Sequence, residues 1–106
     1  MRSTVRGLND AFRTTFVGGR VMMTAGIASL PRDVQAAILE RVRTFNAFTE
    51  DNDPYGEHDF GSFEVASLKI NWKVDYYDAG CRYGSENPVD PSQTTRVLTI
   101  MRADEY

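Results

Sequence analysis

The stretch Glu50-Asp51-Asn52-Asp53-Pro54-Tyr55-Gly56-Glu57-His58-Asp59 places five carboxylates and the chain's only histidine within ten residues, with no lysine or arginine among them. Hard cations are held by several oxygen ligands, and Asp51-x-Asp53-x-x-Gly56 has the opening spacing of a calcium loop. The rest of that template is missing. Tyr55 stands at a ligand position, Pro54 stiffens the turn, and Ser62 stands where a bidentate glutamate belongs. His58 beside Glu57 and Asp59 is one imidazole among carboxylates, short of the usual transition-metal ligand set. No metal and no cofactor are therefore expected, and metal binding by the 50–59 loop is kept only as an alternative. Asp and Asn side chains in such a segment cap backbone groups and turns. The residues expected to meet a partner are Glu50, Asp51, Asp53, Tyr55, Glu57, His58 and Asp59.

Other chemistry has fewer parts. Cys81 and His58 would make a thiol and its base if the fold brought them together. Neither sits in a local signature of a cysteine enzyme. Gly61-Ser62 and Gly84-Ser85 do not form a nucleophile elbow, and no glycine loop is built to cradle phosphate. No catalytic residue is assigned. Lys69, Lys73 and Tyr77 share one side of an alternating segment, with Arg96 and Arg102 near the C-terminus. Such a set can grip a phosphate backbone and cleave RNA without metal. The net charge of −3 opposes nucleic acid as a partner.

These residues need elements to position them. Val5, Leu8, Phe12 and Phe16 recur at intervals of three and four, which predicts a helix capped by Ser3 and stopped by Gly18-Gly19. Arg2, Arg6, Asn9, Asp10 and Arg13 fall on its other, water-facing side. Arg20 to Ile27 is a short apolar run predicted as a strand. Pro31 suits a first helical turn, and Val34, Ile38, Val42 and Phe45 give a second helix its buried stripe. Residues 49–62 break all periodicity and are predicted as a loop. Phe63–Val65, a reversal at Ala66-Ser67 and strict alternation from Leu68 to Tyr77 predict a β-hairpin with Leu68, Ile70, Trp72, Val74 and Tyr76 inward. Residues 78–94 form a second loop. Thr95 to Met101 is a last strand whose paired apolar residues predict a central place in the sheet. The expected fold is α+β, in the order α-β-α-β-β-β, an antiparallel sheet with two helices on one face.

The length of 106 residues suits one domain over the whole chain. A hydrophobic content of 42% is enough for a packed core. Apolar runs are too short for a membrane span, and Met1 to Arg6 carries no secretory-type apolar stretch. With a single cysteine no internal disulfide can form, so a cytoplasmic location is expected. Charge is divided along the chain. Residues 1–49 hold seven arginines against three acids, a net +4, and residues 50–106 hold five bases against twelve acids, a net −7.

Three blocks resemble a bacterial domain-of-unknown-function family of small stand-alone proteins, often encoded among plasmid and mobile-element genes. They are Leu8 to Arg13, Thr49 to Phe63, and Thr95 to Tyr106, with Lys69 to Asp78 alongside. The resemblance implies genomic company and no activity. Mobile elements carry small acidic inhibitors of host restriction or CRISPR nucleases, so a non-enzymatic interaction protein is the leading expectation, with a protein partner and a monomeric or homodimeric state. The element order from residue 19 onward resembles part of the RelE/ParE toxin pattern, which implies a ribonuclease as the alternative.

Overall fold

A computed structural model of the chain describes residues 4–105. Helix α1 spans Val5–Thr15, strand β1 Arg20–Met23, the short helix α2 Ala25–Ala28 and helix α3 Arg32–Thr44. Strands β2 (Phe60–Val65), β3 (Leu68–Asp78) and β4 (Thr94–Arg102) follow, then a 3-10 turn over Ala103–Glu105. The sheet order is β1-β4-β3-β2. The β2/β3 and β3/β4 pairs are antiparallel, but β1 runs parallel to β4, with Arg20 opposite Val97. The fold is thus α+β with a mixed sheet, where an antiparallel one was expected. The direction of β1 follows from its tertiary partner, which is contributed by the far end of the chain and leaves no local trace. β4 lies between β1 and β3, the central place its apolar pairs predicted.

One face of the sheet carries Ile70, Trp72, Val74, Leu98 and Ile100, and Phe12 of α1 with Ile38 and Val42 of α3 close over it; all ten members of this cluster, Ile27 and Phe63 included, are buried. Burying side chains of this size stabilises by roughly 1.5–3 kcal/mol each. Both long helices therefore lie on one face, as expected. Neither α1 nor α3 contributes to the opposite face, which carries Lys69, Lys73, Asp75 and Tyr77, with Glu105 near Lys73 at one end.

Several boundaries differ from the expectation. Ser3 lies outside the described residues, and Thr4 caps α1, its Oγ1 accepting from the Gly7 N–H at 2.9 Å. The helix stops at Phe16, which is left-handed at φ 59°, before the two glycines. Burial of its ring side and the Arg43 guanidinium 5.6 Å from the ring centroid hold Phe16 there. Asn9 and Arg13, expected to face water, are 0% and 3% exposed. Periodicity misplaces them because tertiary hydrogen bonds take up the Asn9 amide and the two terminal nitrogens of Arg13.

The predicted 20–27 strand ends at Met23. Glu105 captures the segment beyond it, accepting from Thr24 Oγ1 at 2.8 Å, Gly26 N at 3.1 Å and Arg102 N at 2.9 Å. Pro31 precedes α3 instead of opening it, and Phe45 caps its end. β2 starts at Phe60, inside the predicted loop. Gly61 reads as a loop residue, yet it faces Trp72 across the strands, and a Cβ there would lie 2.3 Å from the indole nitrogen.

Ala66 and Ser67 make the hairpin reversal, both left-handed at φ 51° and 64°. A two-residue turn of this kind favours Asn-Gly, because left-handed backbone costs other residues about 1 kcal/mol each. The double substitution Ala66→Asn with Ser67→Gly is expected to raise unfolding free energy by about 1 kcal/mol in urea titration.

Candidate functional site

The segment between α3 and β2, residues 45–59, is a long loop without regular structure that is nonetheless held tightly. Thr49 and Asn52 exchange bonds, Thr49 N to Asn52 Oδ1 at 2.8 Å and Asn52 N to Thr49 Oγ1 at 3.3 Å. The Asn52 amide donates to Ala47 O, and Asp53 N returns to Thr49 O at 2.8 Å. These are the local side-chain-to-backbone bonds that Asp, Asn and Thr form in turns. They leave Asp53 pointing inward, and its carboxylate accepts from the His58 N–H at 3.2 Å.

His58 sits at φ 55° with its ring stacked on Phe48, centroids 3.7 Å apart and planes 3° from parallel. Its Nδ1 lies 2.9 Å from Asp10 Oδ1, and its Nε2 lies 3.6 Å from Asp53 Oδ2. One histidine therefore joins helix α1 to the loop. Asp10 also accepts from Arg13 Nη2 at 3.3 Å. The Arg13 guanidinium lies 5.5 Å from the Phe48 ring centroid and 5.1 Å from that of Trp72. Its Nη1 donates to Val42 O at 2.8 Å, in the last turn of α3, where that carbonyl also accepts the capping Phe45 N–H at 3.4 Å. Burial depresses the Arg13 pKa from its ordinary value, an effect opposed by its bond to Asp10.

A second bracket lies beside the first. Asn9 Nδ2 donates to Glu57 O at 3.0 Å and to the Tyr76 hydroxyl at 2.7 Å, while its Oδ1 accepts from Arg96 Nε at 2.8 Å. The Tyr76 hydroxyl donates to Glu57 Oε2 at 3.2 Å. Burial pushes the phenol pKa well above its ordinary value; the Asn9 bond opposes this, and the charges of Glu57 and Asp59 add to it. Asp59 is raised as well, first by burial and then by the charge of Glu57.

The expected partner-binding residues thus divide. Glu57 reaches Tyr76 of β3, His58 reaches Asp10 of α1, Asp53 holds His58, and the Asp59 backbone carbonyl accepts from the Val74 N–H of β3. Glu50, Asp51 and Tyr55 remain outward, Tyr55 at 88% exposure. Among the described residues, no group of three or more His, Cys, Asp and Glu is disposed to hold a metal ion. Cys81 is exposed and left-handed at φ 56°, beside Tyr77 and Val97 on the uncovered sheet face. His58 is on the helical side, so the two share no pocket. The basic set divides too: Lys69, Lys73 and Tyr77 lie on the uncovered face, and Arg96 is buried under α1. The residues that sequence reasoning missed are Asn9, Asp10, Arg13, Phe48 and Tyr76. Their only advance signal was a polar i, i+4 pair, Asn9 and Arg13, beside the apolar stripe of α1.

Residues 23–105 match the model of a family described as a protein of unknown function, DUF3768. The chain belongs to that family. The matched stretch contains the whole loop and strands β2 to β4, while Asn9, Asp10 and Arg13 lie before it. No curated protein and no solved structure matches the chain. No helix among the described residues is long and apolar enough to cross a membrane.

Two outcomes follow from these brackets. Replacing Arg13 by Met is expected to lower unfolding free energy by about 3 kcal/mol, because Asp10 and the α3 carbonyls lose a buried charged partner; urea denaturation reads it. A carboxyl with a raised folded pKa favours the neutral form, so its contribution to stability is present at acid pH and is lost as pH rises through that folded value. Asp59→Asn should therefore stabilise the protein at pH 7, and the gain over wild type should shrink as pH falls toward 4.

Proposed function

We propose that the chain is a non-enzymatic interaction module that presents the outer rim of the 45–59 loop, Glu50, Asp51 and Tyr55, to a protein with a basic surface. The observation that carries this reading is the division of the loop: four of its polar residues fasten it internally, and a tyrosine with 88% of its surface exposed is held out beside two carboxylates. Tyrosine is enriched among residues that dominate binding energy. A loop fixed in advance loses less conformational entropy when it binds. The two carboxylates form no ion pair among the described residues, so their field is available to steer a basic partner.

A finer form of the reading follows from the resemblance to small bacterial mobile-element proteins. The chain would act in the cytoplasm and occupy the basic groove of a host defence nuclease. The ribonuclease alternative has less support, because its basic residues are divided between two faces of the sheet. Metal binding has less support because the Glu57 and Asp53 carboxylates are taken up by Tyr76 and His58.

The test uses the full chain as bait in bacterial lysate, alongside a Glu50→Ala, Asp51→Ala, Tyr55→Ala variant. All three residues are exposed, so the melting temperature of the variant should match that of wild type. A partner captured by wild type should fall at least tenfold with the variant, and should fall for wild type as salt is raised. Equal capture by both proteins removes the loop rim as the contact surface.

A further inference from the structure

A second feature lies against α1, away from the exposed residues of the loop rim. Arg96 is 3% exposed, and no carboxylate among the described residues forms an ion pair with it. Its Nε donates to Asn9 Oδ1 and its Nη2 to Pro88 O, and its guanidinium lies 5.2 Å from the Tyr76 ring centroid. Tyr76 cannot serve as the counter-ion, because its phenol holds its proton. Among the described residues, Nη1 has no hydrogen-bond acceptor. The fully enclosed side-chain atoms without partners are Arg13 Nε, Asn71 Oδ1 and Trp72 Nε1, and Nη1 is not among them. Arg96 is one of the residues that line a groove beside α1.

That groove has a volume of about 180 Å³ and runs between α1 and the segment leading into β4. Its other walls are mainly apolar, from Leu8, Ala11, Phe12, Val17 and Pro91. A buried cation without a charged partner is costly, and a ligand carboxylate that reached Nη1 would offset that cost with a charge-assisted bond. An apolar cleft with one convergent polar group is the usual form of a small-ligand site. The volume limits the occupant to about six water-sized units.

We propose that this groove binds a small organic acid, its carboxylate on Arg96 and its short apolar stem along Leu8, Ala11 and Val17. A free acid fits the size of the groove, and the positive end of the site faces it with a buried guanidinium instead of a flexible surface lysine.

The test titrates sodium 4-methylpentanoate into the full chain, with amide chemical shifts as the readout. Saturable shifts should centre on Ala11, Val17, Gly18 and the Arg96 Nε–H. The neutral 4-methylpentanamide should bind at least about tenfold more weakly, as expected when one charge-assisted bond is lost. Arg96→Lys should weaken binding of the acid, and Ala11→Trp should abolish it by filling the groove while leaving every Arg96 bond intact. Ala11 is exposed on the helix surface, so that variant keeps its fold and stands in if the Arg96 variant unfolds. No saturable shifts, equal affinity for acid and amide, or unchanged binding in Ala11→Trp overturns the proposal. Tighter binding of a tetrapeptide ending in leucine with a free C-terminus overturns the free acid as the occupant and assigns a peptide end.

Discussion

The structure depends on one buried cation. Arg13 lies against the rings of both Phe48 and Trp72, which touch edge to face, and points its guanidinium at the last carbonyls of α3. A charge in such surroundings is unfavourable unless hydrogen bonds and a counter-ion accompany it. Two α3 carbonyls supply the bonds and Asp10 supplies the charge. Asp10 is then fixed in place and takes the His58 ring, which brings the loop with it. The chain of dependence runs from a helix that must bury an arginine to a loop that cannot hang free. The aromatic stack of His58 on Phe48 closes the circuit, because Phe48 is also one of the rings beside Arg13.

The division of charge along the sequence acquires a physical meaning from this arrangement. The basic first half and acidic second half do not neutralise one another across the fold. Five arginines donate to backbone carbonyls: Arg6 to Gly56, Arg13 to Val42, Arg41 to Glu64, Arg43 to Thr14 and Arg96 to Pro88. Among the described residues, the ion pairs that arginine forms are those of Arg13 with Asp10 and Arg102 with Asp104. Guanidinium groups are thus spent on fastening chain to chain, with a planar fork suited to carbonyl pairs. The carboxylates of the second half remain surface charge, pair with Lys73 or Arg102, or accept from groups such as Tyr76, the His58 N–H, Thr24 and Gly26. An acidic exterior on a skeleton bound by arginines is the result.

Much of the fold could be read from local pattern. The stripe of Ile38 and Val42, the alternation from Leu68 to Tyr76 and the doubled apolar pairs of β4 each reflect burial, and burial has a period. Elements set by distant partners had no such trace. β1 is parallel because it meets β4, α2 is held by Glu105 from the other end of the chain, and Gly61 is in a strand because Trp72 needs the space. The site was legible as a place and not as an arrangement. Composition marked residues 50–59, but the direction of each side chain depends on α1, whose Asn9, Asp10 and Arg13 read as surface residues. A polar residue that is satisfied by tertiary hydrogen bonds looks the same in sequence as one satisfied by water.

Helix α1 therefore acts on two sides at once. Asn9 is the junction, since it gives one amide hydrogen bond to the loop at Glu57 and takes one from Arg96 on the groove side. A buried amide with all of these bonds made has no cheap alternative position, because moving it would leave several buried partners unsatisfied together. The rim of the loop and the floor of the groove are consequently positioned by the same side chain. Any ligand that shifts Arg96 must act on the Asn9 amide, and through it on the Tyr76–Glu57 pair beneath the loop. Coupling between the two surfaces needs no moving domain, only a hydrogen-bonded junction that both of them share.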